Sequence, residues 1–297
     1  MRIFITGGTG LIGSALIEQL QNQEHQITVF TRNRTKGGQK LGNKVEFCTS
    51  LSTLRSLEGY DAVINLAGEQ IIGKRWSKQQ KERLCSSRWD ITDRLTELIN
   101  KSPNPPQVFI SGSAVGYYGV QDENVLTEKS FPHDGFLHQL CKRWEKLALK
   151  AQSNRTRVCI SRTGIVLSPE GGMLPMMLLP FRLGLGSTFG TGRQYISWIH
   201  IQDMVNGLLF LLNNPKAEGV FNLTAPNPTS NQIFSKTLAA TLSRPCIFRI
   251  PSFLLKMIMG EMSTMVIDGQ RVTPKHLEKL SFHFTHEHLD EAFKSLI

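Results

Sequence analysis

The first thirteen residues, Met1-Arg2-Ile3-Phe4-Ile5-Thr6-Gly7-Gly8-Thr9-Gly10-Leu11-Ile12-Gly13, constrain the fold more than any other stretch. Ile3 to Ile5 form a continuous apolar run of β-formers, which suits a strand buried on both faces. Gly8, Gly10 and Gly13 fit G-x-G-x-x-G, and Gly7, Gly10 and Gly13 fit G-x-x-G-x-x-G. From Ser14 to Gln23, Leu16, Ile17 and Leu20 recur at helical spacing. A strand, a glycine turn and a helix in that order give the motif its mechanism. The glycines leave no Cβ between backbone and ligand. The helix start aims free N–H groups and a positive dipole end at whatever sits over the turn, which favours a diphosphate. Gly7, Gly8, Thr9, Gly10, Leu11, Ile12 and Gly13 are therefore the expected dinucleotide cradle.

The next strand, Gln26 to Thr31, selects the dinucleotide. An NAD site ends this strand with Asp or Glu, about 20 residues past the glycines, to hold a ribose 2′-OH. Here the sequence reads Thr31-Arg32-Asn33-Arg34, with no carboxylate. A guanidinium matches a 2′-phosphate in shape and charge. The expected cofactor is NADP(H), preferred over NAD(H), with Thr31 and Arg32 as contacts and Arg32 the main one.

Composition bounds the rest. At 297 residues, 40% hydrophobic and 20% charged, the chain is ordinary globular material for one large α/β domain or a core plus a smaller lobe. The net charge of +10 is scattered except at Arg32, Arg34, Lys36 and Lys40, where the 2′-phosphate is expected. No helix-turn-helix, zinc-finger or RNP pattern accompanies it, so no nucleic-acid partner is expected. Five widely spaced cysteines without C-x-x-C argue for reduced thiols and against a thiolate zinc site. No apolar run reaches bilayer length, so no membrane partner is expected, and the cytoplasm is the expected location.

Along the chain, Asp61 to Gly68 reads as a strand ending in small residues, placing Leu66, Ala67 and Gly68 at the sheet edge where ligands bind. A long helix follows to about Asn100, with Arg88 in its middle as a cofactor contact or a solvent-facing side chain. Gln107 to Ser111 is another buried strand, bringing Ser111 beside the cofactor and leading into Gly112-Ser113-Ala114-Val115-Gly116-Tyr117-Tyr118-Gly119. A helix from about Phe136 to Ala151 and a strand at Val158 to Arg162 complete an alternation that predicts a Rossmann-type, doubly wound, mostly parallel sheet. After Leu167 the Gly, Pro and Met content rises. The expected division is a nucleotide-binding core at 1–167, rejoined by 198–225, and a smaller C-terminal substrate lobe at 168–197 and 226–297. Trp198 to Ile201 reads as a strand, with Asp203 opening a helix through Leu212 as its N-cap or as a first-turn acid. The methionines from Met257 to Met265 read as core filler. His283, His286 and His288 match no metal-ligand spacing, and no metal is expected.

The glycine stretch, Asn65-Leu66-Ala67-Gly68, Ser111 to Gly119 and Trp198-Ile199-His200-Ile201-Gln202-Asp203 together resemble the extended short-chain dehydrogenase/reductase superfamily. Lys74-Arg75-Trp76, Ser86-Ser87-Arg88-Trp89, Leu179 to Gly186 and Ser197 to Ile201 are similar to an atypical branch labelled "epimerase family protein". The resemblance spans nearly the whole chain and carries no assigned reaction. It implies a working helix with Tyr-x-x-x-Lys, often with Glu four residues after the Lys. Anchored on Glu145, those positions are Leu137 and Cys141. A one-residue slip puts His138 and Lys142 at the same spacing, with Glu145 then out of register; His138 reads as a surface helix histidine, with a catalytic substitute as the alternative. Sugar-nucleotide enzymes of the superfamily also carry Arg-Asp where this chain has Ile196-Ser197, which argues against a nucleotide-sugar substrate; Arg182 and Arg193 are candidate anion contacts for substrate, either one or neither.

The resemblance implies a Ser that polarises a substrate carbonyl, and Ser113 occupies that place. Tyr117 is the candidate acid, starting from a phenol pKa of about 10. The expected function is an NADP(H)-binding oxidoreductase or epimerase acting on a small molecule, with anions among the candidates. The alternative is a catalytically silent NADP(H) sensor or partner-binding module.

Overall fold

The computed structural model describes residues 1–297. Seven strands form the central sheet: β1 (Arg2–Thr6), β2 (Gln26–Phe30), β3 (Glu46–Cys48), β4 (Ala62–Asn65), β5 (Val108–Ala114), β6 (Arg157–Thr163) and β7 (Gly219–Leu223). All neighbours are parallel, in the order β3-β2-β1-β4-β5-β6-β7. The direction of winding reverses between β1 and β4, the place where doubly wound sheets open a ligand crevice at their C-terminal ends.

The two-residue period of a strand sorts the core. Ile3 and Ile5 face one side of the sheet and Phe4 the other, all fully buried. On the first side they meet Leu16, Ile17 and Leu20 of α1 (Leu11–Asn22), with Met204, Leu208 and Leu211 of a helix at Ile201–Asn213. On the second side Phe4, Val63 and Phe109 meet Leu95, Leu98 and Ile99 of the long helix Lys78–Asn100, and Ala148 of Phe136–Leu149. Each such fully buried Leu, Ile or Phe contributes roughly 1.5–3 kcal/mol of apolar burial.

A helix that the sequence pattern did not disclose, α2 (Arg34–Leu41), follows β2. Its Gly37-Gly38 pair lowers helix propensity. Packing explains Gly37: a Cβ there would lie 2.8 Å from Cε1 of Phe47 on β3. The later helices are then α3 (Lys78–Asn100), α4 (Phe136–Leu149), α5 (Leu174–Arg182), α6 (Ile201–Asn213), α7 (Asn231–Thr241) and α8 (Ser252–Met259).

Three expectations need correction. The strand at Trp198 ends at His200, and α6 starts at Ile201, so Asp203 is an acid of its first turn, as one of the two readings had it, and not its N-cap. His200 caps it, its Nδ1 accepting the Gln202 N–H at 3.0 Å. This strand pairs with Ile165–Ser168 outside the central sheet. Of the Met257–Met265 group, Met262 is buried with Trp76, Leu84 and Trp144, and Met259 and Met265 pack against that cluster as expected; only Met257 departs, at 65% exposed. His138 is buried, because its Nδ1 pairs with the Tyr117 carbonyl at 2.6 Å.

A second apolar core joins α5, α7 and a terminal helix at Leu289–Leu296 through Leu174, Phe181, Phe234, Leu238 and Phe293.

Candidate functional site

The glycine turn is pressed onto the exit of β4. Gly7 has φ +72°, and a Cβ on it would lie 2.4 Å from the Leu66 carbonyl carbon and oxygen. A Cβ on Gly13 would lie 2.3 Å from the Gly7 oxygen. The Gly10 N–H donates to the same oxygen at 2.9 Å. Gly10 is also the N-cap of α1 and offers no side-chain acceptor; no acidic residue stands in the first turn. The Leu11, Ile12 and Gly13 N–H groups have no acceptor within their own helix. Lys40 donates to the Thr9 carbonyl at 2.8 Å, setting a cation at the rim. This turn, which its glycines let pack so closely on β4 and α1, presents free N–H groups that fit a diphosphate.

The floor is tied together by side chains at the switch point. Thr6 Oγ1 donates to Asn65 Oδ1 at 2.6 Å, and Asn65 Nδ2 donates to Thr92 Oγ1 at 2.8 Å. Leu66 N–H donates to the Thr6 carbonyl at 3.0 Å. These bonds bring Leu66 and Ala67 alongside the glycine turn. Ser111 is paired with Asn65 across β4 and β5 and is fully buried.

Arg88 has a different place from a simple surface cation. It donates to the Leu84 and Glu69 carbonyls, both at 3.0 Å, and lies over the Trp144 ring. A Cβ on Gly68 would be 2.9 Å from its Cζ. Burial pulls its guanidinium below the usual arginine value. Arg88 thus straps the loop after β4 to α3, with Gly68 leaving the room for it.

At the end of β2, Asn33 caps α2 by accepting the Lys36 N–H at 3.0 Å. Thr31 Oγ1 accepts the Asn33 N–H at 3.3 Å. Arg32 between them is exposed, and its guanidinium has no ion pair or hydrogen bond in the chain.

The end of β5 holds a network that sequence reasoning missed. Ser113 Oγ–H donates to Glu145 Oε1 at 2.6 Å. Arg162 grips the same carboxylate with Nε at 2.9 Å and Nη2 at 2.8 Å. Its Nη1 donates to the Tyr118 hydroxyl at 3.0 Å, which donates to Asn222 Oδ1 at 2.7 Å. All five residues are buried. Burial alone would lower the Arg162 pKa, but the bonds and charge of Glu145 outweigh it and raise it. Burial pushes the Tyr118 phenol up to about 12. Cys141 beside Ser113 is pushed up to about 12 by burial and then by Glu145, so it stays a thiol. The one available signal was Arg162, a charge closing the apolar run Val158 to Ile160.

This arrangement defines what the candidate catalytic residues can offer. A hydroxyl has one proton, and Ser113 directs it at Glu145, leaving lone pairs for anything else. The Arg162 Cζ stands 3.4 Å from the Tyr117 ring centroid. Leu137 packs on Gly116, and α4 contains no tyrosine. Arg182 ends α5 and Arg193 lies in a turn; both are exposed, and neither guanidinium bonds to the chain. No group of three or more His, Cys, Asp or Glu is placed to hold a metal, and no helix is long and apolar enough to cross a membrane.

The His200 and His286 rings stack at 3.7 Å. Asp203 beneath them accepts the Thr285 and His286 N–H groups at 2.8 and 2.9 Å. Burial, then the neighbouring imidazole, pulls the His200 pKa down to about 4, against the pull of Asp203. The unfolded chain therefore takes up this proton at a higher pH than the folded one. The contribution is complete above about pH 6.5 and is lost as pH falls towards 4. Stability is expected to drop by about 1–2 kcal/mol over that window, allowing for solvent at the ring edge. His200→Asn, which keeps an acceptor for the helix cap, should flatten the thermal midpoint against pH; an unchanged slope would contradict the assignment.

Comparison with known proteins agrees with this geometry. A profile of the NAD dependent epimerase/dehydratase family matches residues 3–224, and one for a domain of unknown function, DUF1731, matches 250–296. An epimerase family protein of Staphylococcus aureus is 39% identical over 295 residues, covering 99% of this chain and 98% of that one. A chloroplastic SDR39U1 homolog of Arabidopsis thaliana is 37% identical over 303 residues, covering 100% and 87%. The structure of human epimerase family protein SDR39U1 with NADPH superposes with a TM-score of 0.91 at 32% identity, covering 100% and 99%. UDP-glucuronic acid 4-epimerase from Bacillus cereus, with UDP-glucuronic acid and NAD, shares the fold with a TM-score of 0.77 at 20% identity, covering 100% and 98%. The chain belongs to the NAD-dependent epimerase/dehydratase family, in the epimerase family protein branch of the extended short-chain dehydrogenases/reductases.

Proposed function

We propose that the protein binds NADP(H) in preference to NAD(H) and uses it in oxidoreductase or epimerase chemistry on a small substrate. The observation that carries this is Arg32, a guanidinium without a partner in the chain, where an NAD site would keep a carboxylate. Human SDR39U1, solved with NADPH, supports the reading. Leu11, Ile12 and Gly13 hold the diphosphate through backbone N–H groups, with Gly7, Gly8, Thr9 and Gly10 shaping the turn. Thr31 and Arg32 hold the 2′-phosphate. Leu66, Ala67, Gly68 and Ser111 border the rest, and Arg88 acts through Gly68 by holding its loop. The bound nicotinamide supplies or accepts a hydride.

The core at 1–167 and 198–225 holds the cofactor; 168–197 and 226–297 close over the substrate, with Arg193 offered to an anionic group. Tyr117 is the residue proposed to donate a proton, since its hydroxyl makes no hydrogen bond in the chain, whereas Ser113 accepts. A second reading, cofactor binding without turnover, is favoured by one feature: the Ser113 proton is directed at Glu145 while the helix behind it offers Leu137 and Cys141.

Arg32→Ala should weaken NADPH about 10- to 100-fold, the worth of a charge-assisted contact, and NADH by less than about threefold. Calorimetric titration of both nucleotides tests this; an equal loss for both would remove Arg32 from the site. Turnover in a carbonyl-substrate screen that Tyr117→Phe abolishes supports the enzyme. Tight NADPH binding with no turnover supports the silent protein.

A further inference from the structure

The C-terminal lobe has a surface that neither the cofactor site nor the second core uses. Residues 171–197 and 226–260 contain no Asp or Glu, but hold Arg182, Arg193, Lys236, Arg244, Arg249 and Lys256. None of the six forms an ion pair. Lys256 lies near Asp268 without pairing with it. The same two stretches hold ten of the sixteen exposed large apolar side chains of the whole protein. Leu179, Leu183, Leu185, Ile247, Phe253 and Met257 are each between 54% and 77% exposed.

These side chains are arranged rather than scattered. Met176, Leu179 and Leu183 follow the i, i+3, i+7 spacing of one α5 face, the face opposite buried Leu174, Met177, Leu178 and Phe181. Arg244 Nε donates to the Arg182 carbonyl at 3.0 Å, bringing the segment before Ile247 to the end of α5. Ser187–Phe189 then pairs with Phe248–Ile250, so Leu185 and Ile247 both lead into the same strand pair. α8 begins two residues after that pair, and Leu255 is its one buried side chain.

We propose that this face docks on an anionic lipid surface. A monomer rarely exposes so concentrated an apolar patch without a use for it. Its charge decides the occupant: six cations without ion pairs outnumber the carboxylates at the edge, Asp268 and the Lys81-paired Glu261, and this excess complements a negatively charged bilayer, which attracts each nearby Lys or Arg by about 1 kcal/mol. The expectation of no membrane partner rests on spanning length, and docking at the interface needs none. α5 and α8 lie flat with Leu, Phe and Met at the acyl boundary and Arg182 and Lys256 among the headgroups, while the Rossmann half stays in water.

Flotation of the full chain with vesicles tests this. Pure phosphatidylcholine vesicles are compared with vesicles in which part of that lipid is replaced by phosphatidylglycerol. The protein should float with the anionic vesicles, and added salt should release it. Leu183→Ser/Phe253→Ser and Arg182→Gln/Lys256→Gln should each lower the partition coefficient about tenfold or more. Unchanged circular dichroism and thermal midpoints show that both variants fold, since all four side chains are exposed. Failure to float with anionic vesicles would overturn the proposal, as would equal, salt-insensitive binding to neutral ones. A concentration-dependent dimer in lipid-free buffer that Leu183→Ser dissociates would overturn it too, by assigning the face to a second copy.

Discussion

Gly13→Ala is expected to cost NADPH affinity on the order of 100-fold. The added Cβ would sit 2.3 Å from the Gly7 oxygen and 2.7 Å from the Gly8 Cα, both backbone atoms that cannot rotate away. The start of α1 has to lift off the turn, moving the Leu11 and Ile12 N–H groups out of reach of a diphosphate. A shift of about 1 Å in a preorganised site is worth roughly that factor. Overpacking should also destabilise the fold by about 1–3 kcal/mol. Gly38→Ala is the matched control, because a Cβ there meets nothing within 4 Å. It should leave binding intact and gain about 0.5–1 kcal/mol by favouring the α2 helix. Titration calorimetry and thermal unfolding of the pair would show whether close packing at position 13 shapes the site. Equal NADPH affinity in Gly13→Ala and wild type would refute it.

Arg162→Leu should destabilise the protein by about 3–5 kcal/mol, because it leaves the Glu145 carboxylate buried with only the Ser113 hydroxyl. Replacing both partners by leucine should recover most of that loss, since an apolar pair carries no desolvation cost. Ser113→Ala removes one neutral donor to the carboxylate and should cost about 1.5–3 kcal/mol. Urea titration of the four proteins measures these differences. A double variant no more stable than Arg162→Leu would mean that the pair itself, not its breakage, holds this region together. The same carboxylate that Arg162 neutralises accepts the hydrogen bond that orients the Ser113 hydroxyl.

The glycine turn, the parallel alternation and the apolar helix stripes were legible because each is written within a short window. Ile3 to Ile5 and Leu16 to Leu20 declare their partners through spacing alone. The Ser113–Glu145–Arg162–Tyr118–Asn222 network was not legible, since its members come from different elements and Tyr118 and Asn222 are 104 residues apart. The spacing of Cys141, Glu145 and Ala148 puts Glu145 on the buried face of α4, but nothing local names the arginine that meets it. α2 escaped because Gly37-Gly38 suppresses the helical signal, and only contact with Phe47 explains the glycine. His138 was misread for a related reason: its burial follows from the Tyr117 carbonyl that meets its ring, a tertiary contact. The Met257 error is more instructive. Hydrophobicity in a sequence predicts burial on average, and α8 breaks that rule with Phe253, Met257 and Ile258 exposed beside Lys256.

A crystal structure grown with NADPH tests the central assignment most directly. The account predicts the diphosphate oxygens within hydrogen-bond distance of the Leu11 and Ile12 N–H groups and the 2′-phosphate on the Arg32 guanidinium. An adenosine phosphate that points away from Arg32, or crystals that take up no nucleotide at concentrations that saturate ordinary NADP(H) sites, would contradict it.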